Sequence, residues 1–262
     1  MKERAAVAAL LALFCALAFN AARQSAATWD EPAHLAAGYS YLAWVDFRLN
    51  PEHPPLIKQL AAAPLLALKP WPARVSGAND DQSASLRNLR RFWQLALSDE
   101  RAQWLFAHQF LYGLTDAALA RYGVERGSMI PSTERLSKSD YHNDADALLL
   151  AARVPIILLG AVLGLLIFIW SRELFGTAGG LLSLALYCFD PNFLAHSGLV
   201  TTDAGFALFF ASTIYFLHRS SRRPQPAELA GVALSFTLAC LTKHSAVLLA
   251  PIIVFFAAPD LA

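Results

Sequence analysis

Charge is scarce in this chain and neither sign prevails: 21 Lys and Arg stand against 20 Asp and Glu, for a net charge of +1. That balance leaves no footprint for nucleic acid or for an acidic surface partner. Cysteine is scarcer still. Cys15, Cys188 and Cys240 each fall inside an apolar run, without metal-ligand spacing or a disulfide framework, and are expected to be packing residues. No glycine-rich phosphate loop is present, so no nucleotide cofactor is expected. The apolar runs hold almost no ionisable residue, Glu228 near one end being the exception. Transporters and pumps usually place carboxylates or broken helices near the bilayer midplane, so a transporter or flippase is the weaker alternative.

Apolar surface is what the chain does hold. Hydrophobic residues make up 56% and the mean hydropathy is +0.41, where soluble domains are roughly 45–50% apolar. The excess gathers at about 5–22, 148–170, 174–189, 199–217, 227–242 and 245–258. A hydrocarbon core of about 30 Å needs roughly 20 apolar residues in a helix. The second and fourth runs meet that length, and the third and sixth are short. The expectation is an all-α polytopic membrane protein with about six transmembrane helices, five being the alternative. The first run, behind Met1-Lys2-Glu3-Arg4, also fits a secretory signal peptide. Either way, the chain just beyond this run lies outside the cytoplasm.

Loop charges set the orientation. With the N-terminus inside, the inner segments hold Lys2 and Arg4, then Arg172, then Arg219, Arg222 and Arg223. The loop at 190–203 has no Lys or Arg. That is the positive-inside pattern, and it points to the inner (plasma) membrane with an outward, periplasmic active side. Asp30, Glu31, His34, His53, Lys58, Arg153, His196, Asp203, Lys243 and His244 then gather at outer ends, which favours chemistry at the outer interface.

Four regions are expected. Residues 1–22 form the first transmembrane helix, and 23–69 an outer loop with interfacial helices. Residues 70–147 form an extramembrane helical cap, and 148–262 hold transmembrane helices two to six. In the outer loop one helix is predicted from about Pro32 to Val45, with Asp30 as its N-cap. A second is predicted from Pro54-Pro55 to about Leu68. Both are too short to span and suit the interface. In the cap, Leu86, Leu89, Trp93, Leu97, Trp104, Leu105 and Phe110 recur near helical spacing over about 83–122.

Three stretches carry chemistry. Trp29-Asp30-Glu31-Pro32-Ala33-His34, just after the first apolar run, resembles the Asp-Glu motif of GT-C class membrane glycosyltransferases. It is nearest the branch of protein O-mannosyltransferases and aminoarabinose transferases. Asn50-Pro51-Glu52-His53-Pro54-Pro55-Leu56-Ile57-Lys58 is similar to that branch's His-Pro-Pro-Leu segment. Arg153-Val154-Pro155, with Ala195-His196-Ser197 through Thr201-Thr202-Asp203, extends the likeness. It covers roughly 23–68 and 148–218 and leaves the cap unexplained. Family members are longer, so the resemblance implies either the N-terminal part of a longer protein or one that has lost its later half. A non-catalytic truncated scaffold is a further alternative.

The resemblance implies transfer, with inversion, of a sugar from a polyprenyl-phosphate donor to an acceptor hydroxyl, the acceptor being a protein, lipid or glycan. Membrane lipid is the other expected partner. Phosphate is a good leaving group, so the protein must orient the acceptor, take its proton and stabilise departing charge. Asp30 is the candidate general base, with helix capping as its ordinary role. Glu31 and Asp203 are the further catalytic candidates. Glu31 is an organiser or a solvated charge, and Asp203 is a site acid or a helix cap. His53, Lys58 and Arg153 are candidates for the donor phosphate, against a loop histidine, a snorkelling lysine and an interface anchor. His34, His196 and Lys243 are placed at the rim. No cofactor is required by these residues; a divalent metal stays open. Where the aminoarabinose branch has an acidic-Lys-Pro-Pro pattern, this chain has Glu52-His53-Pro54-Pro55, which does not carry over that branch's metal site.

Overall fold

A computed structural model describes residues 1–70, 100–112 and 143–257. Among the described residues there are helices and turns and no strand. In chain order, the first helices are α1 (Lys2–Gln24), α2 (Asp30–Ala43), α3 (Leu56–Ala62), α4 (Leu65–Leu68) and α5 (Glu100–Tyr112). After these come α6 (Ala145–Phe189), α7 (Pro191–Ser197), α8 (Asp203–Arg222) and α9 (Pro226–Cys240). A 3-10 turn (His244–Leu248) and α10 (Leu249–Ala257) complete the order. They divide into two compact units. A bundle unit holds Met1–Ser25, Glu52–Ile57 and Arg153–Ala262; a loop unit holds Ala26–Pro51 and Lys58–Ala152.

In the bundle unit, α1 and α6 are long and apolar enough to cross a membrane. The 45 residues of α6 are two helices. Gly176 sits at φ 74° and ψ −177°, a conformation open in practice only to glycine. Residues 145–175 and 177–189 turn back on each other there. Tyr187 donates its hydroxyl to the Gly160 carbonyl at 2.7 Å across 27 residues, a separation of roughly 40 Å along a straight helix. The apolar runs expected at 148–170 and 174–189 are therefore the two arms of one hairpin. Phe14 of α1 stacks on Tyr187 at 5.1 Å, and Val7, Leu163, Phe168, Leu184, Cys188 and Leu208 are buried around them.

Among the described residues of this bundle, the charged side chains gather at two ends. At one end Arg172 pairs with Glu3 at 3.1 Å. Arg219 there donates to Glu173 at 2.8 Å and pairs with Glu228 at 3.2 Å. At the other end Arg153 donates to the carbonyls of Ala22 and Ser25 at 2.6 and 2.9 Å. Nineteen residues separate Glu3 from Ala22, and nineteen separate Arg153 from Arg172. At about 1.5 Å per residue, each arm holds its charged ends roughly 28 Å apart. Between them α8 and α9 pack side by side, with Thr213 donating to Ser235 at 3.1 Å.

The loop unit packs α2 against α5, with Tyr39 on Phe110 at 5.2 Å. α2 begins two residues before the predicted Pro32. The single helix expected from Pro54-Pro55 to Leu68 is two short ones, α3 and α4. Pro64 falls between them; it has no N–H to donate and disfavours helical geometry in the residue before it. Of the helix expected over 83–122, Glu100–Tyr112 is helical; the rest lies outside the described residues.

Candidate functional site

The N-terminus of α2 corrects one expectation. Asp30 does not cap the helix. Trp29, just before it, is already in helical geometry, and the cap is built from Thr28 and Glu31. The Glu31 carboxylate accepts the Thr28 backbone N–H at 2.8 Å and the Thr28 hydroxyl at 3.1 Å. Thr28-Trp29-Asp30-Glu31 thus has the sequence of a capping box and forms half of one: the acid one turn in reaches back to the Thr28 N–H, and the Thr28 hydroxyl donates to the same carboxylate. Glu31 is fully buried in the role. Asp30 is exposed and makes no hydrogen bond or ion pair with the described residues. His34, the next turn on, is buried.

Lys58 is also fully buried. Its ammonium donates to the Asn50 carbonyl and lies 3.5 Å from the Tyr41 hydroxyl, which itself donates to the Leu49 carbonyl at 2.5 Å. Burial pushes the pKa of the Tyr41 hydroxyl up to about 12, and the Asp46 carboxylate adds to the shift. The chain between α2 and α3 is strained as well as tethered: Val45 and Asn50 have φ of 53° and 45°, left-handed values unusual for non-glycine residues. Lys58 and Tyr41 hold that strained passage closed. Close packing helps, since a Cβ added at Gly38 would run into the Lys58 backbone carbonyl and meet the Ala62 Cβ at 2.9 Å.

In the bundle unit, Arg153 is 1% exposed. Through Ala22 and Ser25 it caps the C-terminal carbonyls of α1, where a cation is favoured by the helix dipole. Asp203 opens α8 and is half exposed. Lys243 donates to one of its oxygens at 2.7 Å, and His196 Nδ1 lies 3.9 Å from the other. No side chain caps α8 at Thr202. The Asp203 carboxylate faces the Lys243 ammonium and the His196 imidazole, drawn from two other elements, the start of the 3-10 turn and α7. His53, half-buried, precedes α3, and the Leu56 N–H there donates to the Leu241 carbonyl at 3.1 Å.

The sequence candidates therefore fall into separate groups. Asp30, Glu31, His34 and Lys58 belong to the loop unit. His53, Arg153, His196, Asp203 and Lys243 belong to the bundle unit, where the last three of the predicted set, His196, Asp203 and Lys243, meet. Sequence reasoning missed Thr28, legible as the first letter of a Thr-x-x-Glu box, and Tyr41, whose role depends on a contact 17 residues away. Among the described residues no group of three or more His, Cys, Asp or Glu is placed to hold a metal ion.

No curated protein and no solved structure matches the chain. Residues 145–261, which carry Arg153, His196, Asp203 and Lys243, match the family model described as dolichyl-phosphate-mannose-protein mannosyltransferase, and that match supports a GT-C glycosyltransferase.

Proposed function

We propose that this protein moves a sugar from a polyprenyl-phosphate donor to an acceptor hydroxyl at the outer face of a membrane, with Asp30 as general base. The observation that carries the assignment is the contrast between the acids. Glu31 is spent on the cap and Asp203 on Lys243, whereas Asp30 stands exposed, on a turn that the cap holds still. A carboxylate without a competing partner is free to take a proton. In the reaction the acceptor oxygen attacks the anomeric carbon and its proton passes to Asp30. The bond from that carbon to the phosphate oxygen breaks, and the polyprenyl phosphate leaves with the electron pair.

Departing charge calls for cations. Among the described residues of the bundle unit, the Lys243 ammonium beside Asp203 is the candidate counter-charge, and His196 and His53 are candidate hydrogen-bond donors to the departing phosphate. Lys58 and Arg153 are positioning residues, each within its own unit: Lys58 holds the loop and Arg153 the end of α1. The acceptor class, whether protein, lipid or glycan, is not set by these residues.

The family match and the two long apolar helices indicate a membrane protein. The charge-free span of roughly 28 Å in the bundle agrees with a hydrocarbon core of about 30 Å, which supports several crossings. Arg172 and Arg219 at one end, with the nearby Arg222 and Arg223, support that end as cytoplasmic. Arg153, Asp203 and Lys243 then face outward.

The test is transfer from a panel of polyprenyl-phosphate sugars by the protein reconstituted in vesicles. Asp30→Asn is expected to lower the rate by about 100-fold or more, the usual scale of a general base, with the amount inserted unchanged. Wild-type turnover by Asp30→Asn removes the assignment.

A further inference from the structure

Trp29 is 73% exposed, yet it is held. Its indole stacks on Trp104 at 4.8 Å with planes 23° apart. Trp104 leans on His108 at 5.5 Å, and His108 on Tyr112 at 4.6 Å. Those three sit at four-residue intervals in α5, so they share one face of the helix and form a column of rings with Trp29 at its head. The backbone of Trp29 is fixed as well, because it lies inside the Thr28–Glu31 cap. One face of the indole is used against Trp104, and its exposure leaves the opposite face to solvent. The next residue, Asp30, presents an exposed carboxylate.

We propose that the open face of Trp29 is the platform for the sugar ring of the donor. A sugar ring has a face of C–H bonds, weakly positive and poorly hydrated, which suits the negative face of a π system. Its hydroxyl groups point outward from the ring edge, where a carboxylate can accept their hydrogen bonds. Trp29 and Asp30 offer these two chemistries side by side. The backing by Trp104 matters because a platform binds well only when its plane is set beforehand. A tryptophan that merely anchors the chain at lipid headgroups needs no fixed plane. The inference rests on the glycosyltransferase assignment above for the ligand being a sugar.

The experiment uses the whole purified protein and two probes, a polyprenyl-phosphate-linked hexose and the same polyprenyl phosphate without sugar. Trp29→Leu keeps bulk and loses the π face; Trp29→Phe keeps a smaller one. Trp29→Leu is expected to raise KM and Kd for the sugar-bearing lipid about tenfold, the scale of one aromatic contact. Its kcat should stay within about threefold, and Trp29→Phe should fall between it and wild type. Binding of the sugar-free lipid should not change. Trp104→Leu, which removes the backing and leaves Trp29, should reproduce part of the loss.

An unchanged Kd for the sugar-bearing lipid in Trp29→Leu overturns the proposal, and so does an equal loss for both lipids, which marks a lipid anchor. If wild type binds the hexose lipid in a Trp29-dependent way and transfers nothing, the platform stands and the proposed reaction falls. If transfer proceeds and Trp29→Leu is indifferent, the reverse holds.

Discussion

Two neighbouring carboxylates in this chain have opposite circumstances. Asp30 is exposed, and Glu31 is fully buried on Thr28. Their order in the sequence does not tell them apart, but the position relative to Thr28 does: three residues on is the position from which an acid reaches back to the cap. A role for Glu31 in proton transfer or metal binding would require its charge. A role in the cap requires only an acceptor at the end of the side chain, which Gln also supplies. Glu31→Gln should therefore keep at least about half of the transfer rate, whereas Glu31→Ala should lose about 1 kcal/mol of stability, the usual cost of a lost N-cap. Its rate should fall further, because Trp29 and Asp30 lose their fixed backbone. Thermal unfolding and initial rates on the same preparations separate the two. A Glu31→Gln protein as inactive as Asp30→Asn would show that the charge of Glu31, and not its hydrogen bonds, is needed.

At the scale of elements, apolar runs disclosed helices more readily than they disclosed how those helices connect. Among the described residues each of the six runs falls mostly on helix, because burying or embedding a long apolar stretch leaves the backbone little choice but to satisfy itself internally. The break at Gly176 was less legible. Gly179 and Gly180 lie in the same stretch and either could have been the turn, yet only Gly176 has a positive φ. Replacing it tests the hairpin. Gly176→Ala forces a side chain into a backbone region that costs on the order of 1–3 kcal/mol, although a Cβ there would meet nothing within 4 Å. The loss should thus appear in full as lowered thermal stability, with no steric share. By contrast, Pro64 could have been read as the division between α3 and α4. The tether of Lys58 could not, since it depends on Tyr41 and the Asn50 carbonyl arriving at one point. Lys58→Met keeps the length of the side chain and leaves that carbonyl only the long 3.4 Å contact of the Tyr41 hydroxyl, at about 1–3 kcal/mol for a buried polar group poorly paired. The cost should show as faster proteolysis of the 44–55 passage as well as in unfolding.

At the scale of the whole bundle unit, separation of charge by an apolar belt is the organising fact, and it divides stability from chemistry. The end that holds Asp203 and Lys243 is the one to which the proposed reaction assigns cations. The other end holds Arg219, which reaches Glu173, Tyr215 and Glu228 at once and so ties three helical segments. Glu228 is nearly buried there while Arg219 is about half exposed. Removing a partner from a fully buried pair costs about 3–5 kcal/mol. Solvent at Arg219 reduces that, and about 2 kcal/mol is expected for Arg219→Leu. Most of the loss is the stranded Glu228 charge, so adding Glu228→Leu should restore at least half of it even though a second polar contact is gone. Transfer per folded molecule should stay within about twofold in both proteins, since no step of the reaction calls on this end of the belt. Unfolding in detergent and single-turnover rates in vesicles measure the two quantities independently. A tenfold fall in rate per folded molecule, with Glu228→Leu failing to recover stability, would mean that the Arg219 junction sets the geometry of the opposite end, and that the belt transmits between its ends instead of insulating them.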